Sequence, residues 1–160
     1  LDFDYVMPSE EYKKAFLFLS NKCSKKELSA KEALIICSKF KLKIVEKNKL
    51  INELKKNQFI DHLRYANAFV HDRFNLYFWG KTKIRHHLIQ KGIEDYYIVS
   101  ALESIDNEKY KNIAKQEALK KYKSLGNEND FNSKQKILKY LTLKGFETDL
   151  SFEVVDLLID

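Results

Sequence analysis

Glycine and proline are scarce in this chain: four Gly and one Pro occur among 160 residues. Sandwiches and barrels need both for their many turns, whereas helices tolerate few breakers. The shortage excludes a turn-rich β fold and predicts an all-α protein. Gly80, Gly92, Gly126 and Gly145 lie far apart, which excludes a glycine-rich loop that cradles phosphate. Two cysteines, Cys23 and Cys37, cannot build a disulfide framework and read as reduced thiols. No apolar run approaches the roughly 18 residues of a membrane span. The opening Leu1-Asp2-Phe3-Asp4-Tyr5 has no initiator Met, as a trimmed or processed end would. It also lacks a basic stretch followed by an apolar one, so no signal peptide is visible. A cytoplasmic protein with no membrane contact is expected.

What is present is charge and apolar surface. The hydrophobic fraction of 44% is close to the globular norm of about 45–50%, so wholesale disorder is excluded. The net charge is +6 and the isoelectric point near 9.1. A basic balance favours an anionic partner such as nucleic acid, an acidic protein or a nucleoprotein. Solvated lysines on helix surfaces produce the same sum without any partner.

Hydrophobic spacing divides the chain into nine helices. The first opens at Pro8-Ser9-Glu10-Glu11 and carries Tyr12, Ala15, Phe16 and Leu19. Ser24-Lys25-Lys26-Glu27 reads as a capping box that starts a second helix reaching Cys37 or Ser38. The third covers Ile44 to Lys56, with Leu50, Ile51 and Leu54 inward. Asp61 is the expected N-cap of the fourth, which carries Ala66, Phe69, Val70 and Phe74. An aromatic connector, Asn75 to Gly80, leads to a fifth that holds Ile84 and Leu88 and stops at Lys91-Gly92. The sixth carries Ile98, Ala101, Leu102 and Ile105. Asn107 is expected to cap a long seventh that ends near Leu125-Gly126. The eighth carries Ile137, Leu138 and Leu141 and stops at Lys144-Gly145. The ninth carries Phe152, Val155 and Leu158.

Residues Lys83 to Glu94 are echoed 53 positions later by Lys136 to Glu147. Lys, Ile, Leu, Lys, Gly and Glu coincide, and Val99, Leu102 and Ile105 match Phe152, Val155 and Leu158. Each unit is then a helix, a helix with a basic last turn, a Gly and a third helix. Nine helices give three tandem three-helix repeats: residues 1–58, 59–106 and 107–160. The first is the divergent one. Leu42 and Leu50 stand about where Ile93 and Ile98 stand, with no Gly at the turn.

On these residues the chain resembles the RecX family of regulatory proteins. Phe59-Ile60-Asp61-His62-Leu63-Arg64-Tyr65-Ala66 is similar to the family's Leu-Asp-Asp-x-x-Phe-Ala run, with His62 in place of its second Asp. Ala68-Phe69-Val70, Arg73-Phe74 and Trp79-Gly80 continue it. Ile84, Leu88, Lys91, Gly92 and Ile93 match the next motif, and Tyr140 to Phe146 the last. Ser24, Glu27 and Leu28 fit the family's opening Ser-x-x-Glu-Leu, and the Lys-Gly turn expected after it is missing. The resemblance implies an elongated, curved array of three repeats that docks in the groove of a RecA recombinase filament on single-stranded DNA. It implies interference with strand exchange, ATPase and co-protease activity, and so a place in DNA repair and the SOS response. A monomer that acts without cofactor is expected.

The densest cationic stretch is Arg73, Lys81, Lys83, Arg85 and Lys91 around Tyr77, Phe78 and Trp79. These cations can meet carboxylate on a filament protomer or phosphate of single- or double-stranded DNA. With Lys144 they form the candidate filament-binding set: Arg73, Trp79, Lys81, Lys83, Arg85, Lys91 and Lys144. The competing readings are structural. Trp79 can plug the space between repeats, and Lys91 and Lys144 can serve their helix C-termini. His86 and His87 are adjacent on a helix and point about 100° apart, so they do not share a metal ion. Cys23, Cys37, His62 and His71 have no ligand spacing. Carboxylates are numerous, but none falls in an apolar context that would raise its pKa and no nucleophile elbow accompanies them, so no catalysis is expected. A helical DNA- or RNA-binding module without a recombinase, and a helical scaffold without nucleic acid, remain the rival readings.

Overall fold

The computed structural model describes residues 7–159. The opening from Leu1 to Tyr5 lies outside the described residues. Every regular element among the described residues is a helix: α1 (Glu10–Lys25), α2 (Ala30–Cys37), α3 (Ile44–Lys56), α4 (His62–Asn75), α5 (Lys81–Gln90), α6 (Asp95–Glu103), α7 (Asn107–Ser124), α8 (Phe131–Lys144) and α9 (Thr148–Leu158). They form two units, divided between Tyr65 and Ala66 inside α4. The tandem helical repeat expected from the sequence is the fold.

In the first unit α1, α2 and α3 close on Tyr12, Ala15, Leu19, Ala33, Leu50 and Leu54. Ser9 caps α1 by accepting from the amide of Tyr12 at 3.1 Å. The second helix does not begin at the Ser24 box. α1 runs on to Lys25, and the Ser24 hydroxyl donates back to the Asn21 carbonyl. The capping box is Ser29 with Glu32, each side chain meeting the other's amide at 3.1 Å. The chain offers the same Ser-x-x-Glu pattern twice, five residues apart. Packing chooses the second, because a helix starting after Ser29 points Ala33 and Cys37 fully inward. Glu27 is left to pair with Arg64 at 2.6 Å. His62 is buried, and its Nε2 accepts the Ala30 amide at 3.0 Å. It thereby satisfies a free N–H at the start of α2, a task a carboxylate could also do. Leu50 matches Ala101 and not Ile98 when the two helix starts are aligned, since α3 begins after Lys43 and α6 after Glu94.

In the second unit the 53-residue echo survives at the core positions of α5 and α8 and at the turns after them. Ile84 and Ile137 are fully buried, as are Leu88 and Leu141. Gly92 and Gly145 both take positive φ, 78° and 100°. The amides of Ile93 and Phe146 return to Leu88 and Leu141 at 3.1 and 3.0 Å, the Schellman closure in which a left-handed residue ends a helix. Two details differ from expectation. Asp106, not Asn107, caps α7, accepting the Lys109 amide at 2.9 Å. Phe152 is 50% exposed, and α9 faces inward through Ser151, Val154 and Val155. Ser151 stands 53 positions after Ile98, and its hydroxyl donates to the Glu147 carbonyl at 2.8 Å, so no polar group is stranded there.

The turn between α8 and α9 is locked onto the start of α5. The Gly80 amide donates to the Lys144 carbonyl at 2.8 Å and the Thr82 amide to the Gly145 carbonyl at 3.0 Å. The Lys81 amide donates to the Tyr110 hydroxyl at 2.9 Å, which in turn donates to Glu147 at 2.8 Å. Three amides that a helix start leaves without partners are thus met by the turn and by α7. Gly80 is required for closeness: a Cβ there would overlap the Gly145 carbonyl and the Phe146 amide.

Candidate partner-binding face

Locking α5 in this way fixes the connector before it, and with it the aromatic and cationic side chains of α4 and α5. On α4 and just after it, Phe69, Arg73 and Tyr77 recur every four residues. The Arg73 guanidinium lies 4.6 Å from the Phe69 ring centre and 5.2 Å from that of Tyr77. Just before α5 and on it, Trp79, Lys83 and His87 recur at the same interval. The Lys83 ammonium sits 4.1 Å over Trp79, and the His87 ring is 4.7 Å from it. Residues four apart share one face of a helix, so each helix presents a ring, a cation and a ring. Trp79 joins the two rows, with Arg73 at 5.3 Å and Phe69 edge-on at 6.3 Å. Tyr77 is 53% exposed, and Arg73, Trp79, Lys83 and His87 are half-buried.

The cluster carries positive charge without a counter-charge. Among the described residues no carboxylate lies within ion-pair reach of Arg73 or Lys83. The neighbours register the excess. His87 is held below its ordinary range, first by burial and then by Lys83, His86, Arg73 and Lys91. The Lys144 ammonium is likewise held down by burial, against the pull of Glu117 and with Lys83 and Lys120 adding to the effect.

The other residues singled out in the sequence have internal partners. Arg85 pairs with Asp95 at 2.6 Å. Lys81 lies 4.8 Å over the Tyr110 ring. Lys91 is the C-cap of α5. Lys144 donates to the Tyr77 carbonyl at 2.7 Å and stands 3.8 Å from Glu117, so it braces the connector. The structure therefore gathers Arg73, Trp79 and Lys83 and turns Arg85 and Lys144 toward the protein's own groups. A cleft of about 380 Å³ beside α5, lined by Lys81, Arg85, Val99, Leu102, Glu103 and Glu147, holds both signs of charge.

Glu117 was not foreseen. It is 4% exposed and accepts the Tyr140 hydroxyl at 2.9 Å. Burial and this carboxylate push the Tyr140 phenol up to about 12. The signal was its place on the stripe of Tyr110, Ala114 and Ala118. Phe69 and His87 were also missed as site members, although their four-residue spacing from Arg73 and Lys83 was there to read. Among the described residues no group of three His, Cys, Asp or Glu could hold a metal ion, and no helix is long and apolar enough to cross a membrane.

The structure defines an all-helical repeat protein with cations set among rings on one face. Residues 61–102 match the second three-helix domain of RecX and residues 108–155 the third. The chain is 32% identical over 154 residues to the regulatory protein RecX of Clostridium botulinum strain Eklund 17B, covering 81% of this chain and 72% of that one. It is 37% identical over 111 residues to the same protein of Clostridium acetobutylicum, across 67% and 50%. The crystal structure of RecX from Lactobacillus salivarius superimposes with a TM-score of 0.83 at 22% identity, over 93% of this chain and 97% of that one. A second crystal structure of a regulatory protein RecX gives 0.82 at 26%, over 92% and 72%. The chain belongs to the RecX family of regulatory proteins.

Proposed function

We propose that this protein is a non-enzymatic regulator that docks on a RecA recombinase filament assembled on single-stranded DNA and restrains its strand exchange, ATP turnover and co-protease activity, in the cytoplasm, during DNA repair and the SOS response. The observation that carries the reading is the 32% identity to a regulatory protein RecX across most of both chains. Its repeats, residues 1–58, 59–106 and 107–160, would engage successive protomers, since linked sites convert a second contact into an intramolecular one. The contact set is Arg73, Trp79, Lys81, Lys83, Arg85 and Lys91, with Lys144 bracing the connector from behind. Trp and Arg are the residue types that dominate interface energetics, and uncompensated cations steer the approach to an anionic polymer.

In the rival reading, a helical DNA- or RNA-binding module without a recombinase, one helix of a repeat enters a major groove, and charge argues against α6 and α9 in that role. α6 carries Asp95 and Glu103, and α9 carries Asp149, Glu153 and Asp156, with no Lys or Arg on either. Such helices repel phosphate.

The test adds the protein to preformed recombinase filaments and follows ATP turnover and strand exchange. Both should fall, and R73A/K83A should lose most of the effect while keeping its helicity. Unchanged turnover at saturating protein would refute the reading.

A further inference from the structure

We infer that the two rows, Phe69–Arg73–Tyr77 and Trp79–Lys83–His87, form a binding site for unpaired nucleic acid, with a base stacked on the rings and its phosphates on Arg73 and Lys83. The inference deepens the filament reading by assigning this face to the strand itself. Three observations carry it. The first is the missing counter-charge. Arg73 and Lys83 both approach the Trp79 ring, and no described carboxylate reaches either. Arg85, two residues on from Lys83, is by contrast paired with Asp95. Half-buried cations without a partner call for an anion.

The second is the rings. A carboxylate on a partner protein would satisfy the charge without stacking on them. Four rings within one cluster of side chains suit a ligand whose flat units alternate with anions, and that is a nucleic acid strand. Tyr77, 53% exposed beside Leu76 at 65%, offers the outer stacking surface. The third is rigidity. The connector that holds Tyr77 and Trp79 is fixed at both ends, by the Lys144 bond to the Tyr77 carbonyl and by the Gly80 amide on the Lys144 carbonyl. A site already in its bound shape loses less freedom when it binds. A duplex buries its bases in the stack and presents no free base faces here, so the site discriminates against it.

Trp79 is the chain's single tryptophan, so its emission reports on this site alone. The full chain, without recombinase, is titrated with a short oligothymidylate at low salt. Quenching of Trp79 that saturates is expected. R73Q and K83Q, with native circular dichroism, should each weaken binding about tenfold. An abasic oligonucleotide of equal length should bind more weakly without quenching. Three results would overturn the inference: no quenching with thymidylate, equal competition by a duplex, or equal displacement by polyglutamate, which would assign the face to an acidic protein. Because no filament is present, such a failure leaves the effect on ATP turnover to be judged separately.

Discussion

His87 shows how one side chain reports the field around it. Burial and the cations Lys83, Arg73 and Lys91, with His86 beside it, hold its folded pKa below the ordinary 6.5. Between the folded value and 6.5 the unfolded chain binds the extra proton, so stability rises with pH across that window and falls as acid is added. H87Q should therefore lose less of its melting temperature than the parent chain between pH 7.5 and pH 5, as followed by circular dichroism. Equal losses would show that His87 does not feel these charges. The thiols behave in the opposite sense. Burial pushes Cys23 and Cys37 up, which keeps both protonated and slow to react at neutral pH. At this scale the sequence was legible for charge and poorly legible for partners. Arg73, Trp79 and Lys83 stand out as types, but that Arg85 meets Asp95 across ten residues depends on the turn at Gly92.

Helices are legible where local and tertiary preferences agree. α3 follows its pattern from Ile44 to Lys56, because Leu50, Ile51 and Leu54 admit one inward face. The α1–α2 boundary was misread because two Ser-x-x-Glu sequences compete and only burial of Ala33 and Cys37 separates them. The end of α3 carries a residue of the wrong type. α3 closes as α5 and α8 do, with the Phe59 amide returning to Leu54 at 2.9 Å, but Gln58 sits at φ 62° where the others have Gly. A left-handed conformation costs an L-residue about 1–2 kcal/mol, and a Gly loses roughly 0.5–1 kcal/mol more in entropy on folding. Gln58→Gly should leave the fold intact and raise stability by up to about 1 kcal/mol in urea unfolding. A fall would mean that the Gln58 side chain holds something the backbone does not.

For the molecule as a whole, the lock between the α8–α9 turn and α5 matters most. The overlap created by a methyl at Gly80 falls on backbone atoms, which cannot rotate aside. Overpacking typically costs 1–3 kcal/mol, and Gly80→Ala should reach about 3 kcal/mol or more. Amide exchange should quicken in α4–α6 and α7–α9 together, since both lose shared bonds. An unchanged unfolding midpoint would mean the contact relaxes freely. The composition announced the helices, and the 53-residue echo the pairing of Gly92 with Gly145. Neither announced that Gly80 would touch Gly145, because a close approach between backbones leaves no mark beyond a missing side chain.

That touch also sets how the chain can be divided. A fragment cut after Asp106 would hold every residue of α4, α5 and α6, yet the amides of Gly80, Lys81 and Thr82 would lose their acceptors and the Tyr77 carbonyl its donor. The first turn of α5 borrows its partners from the sequence beyond Asp106, so a gene fragment ending there would sever a bond network that ignores the cut.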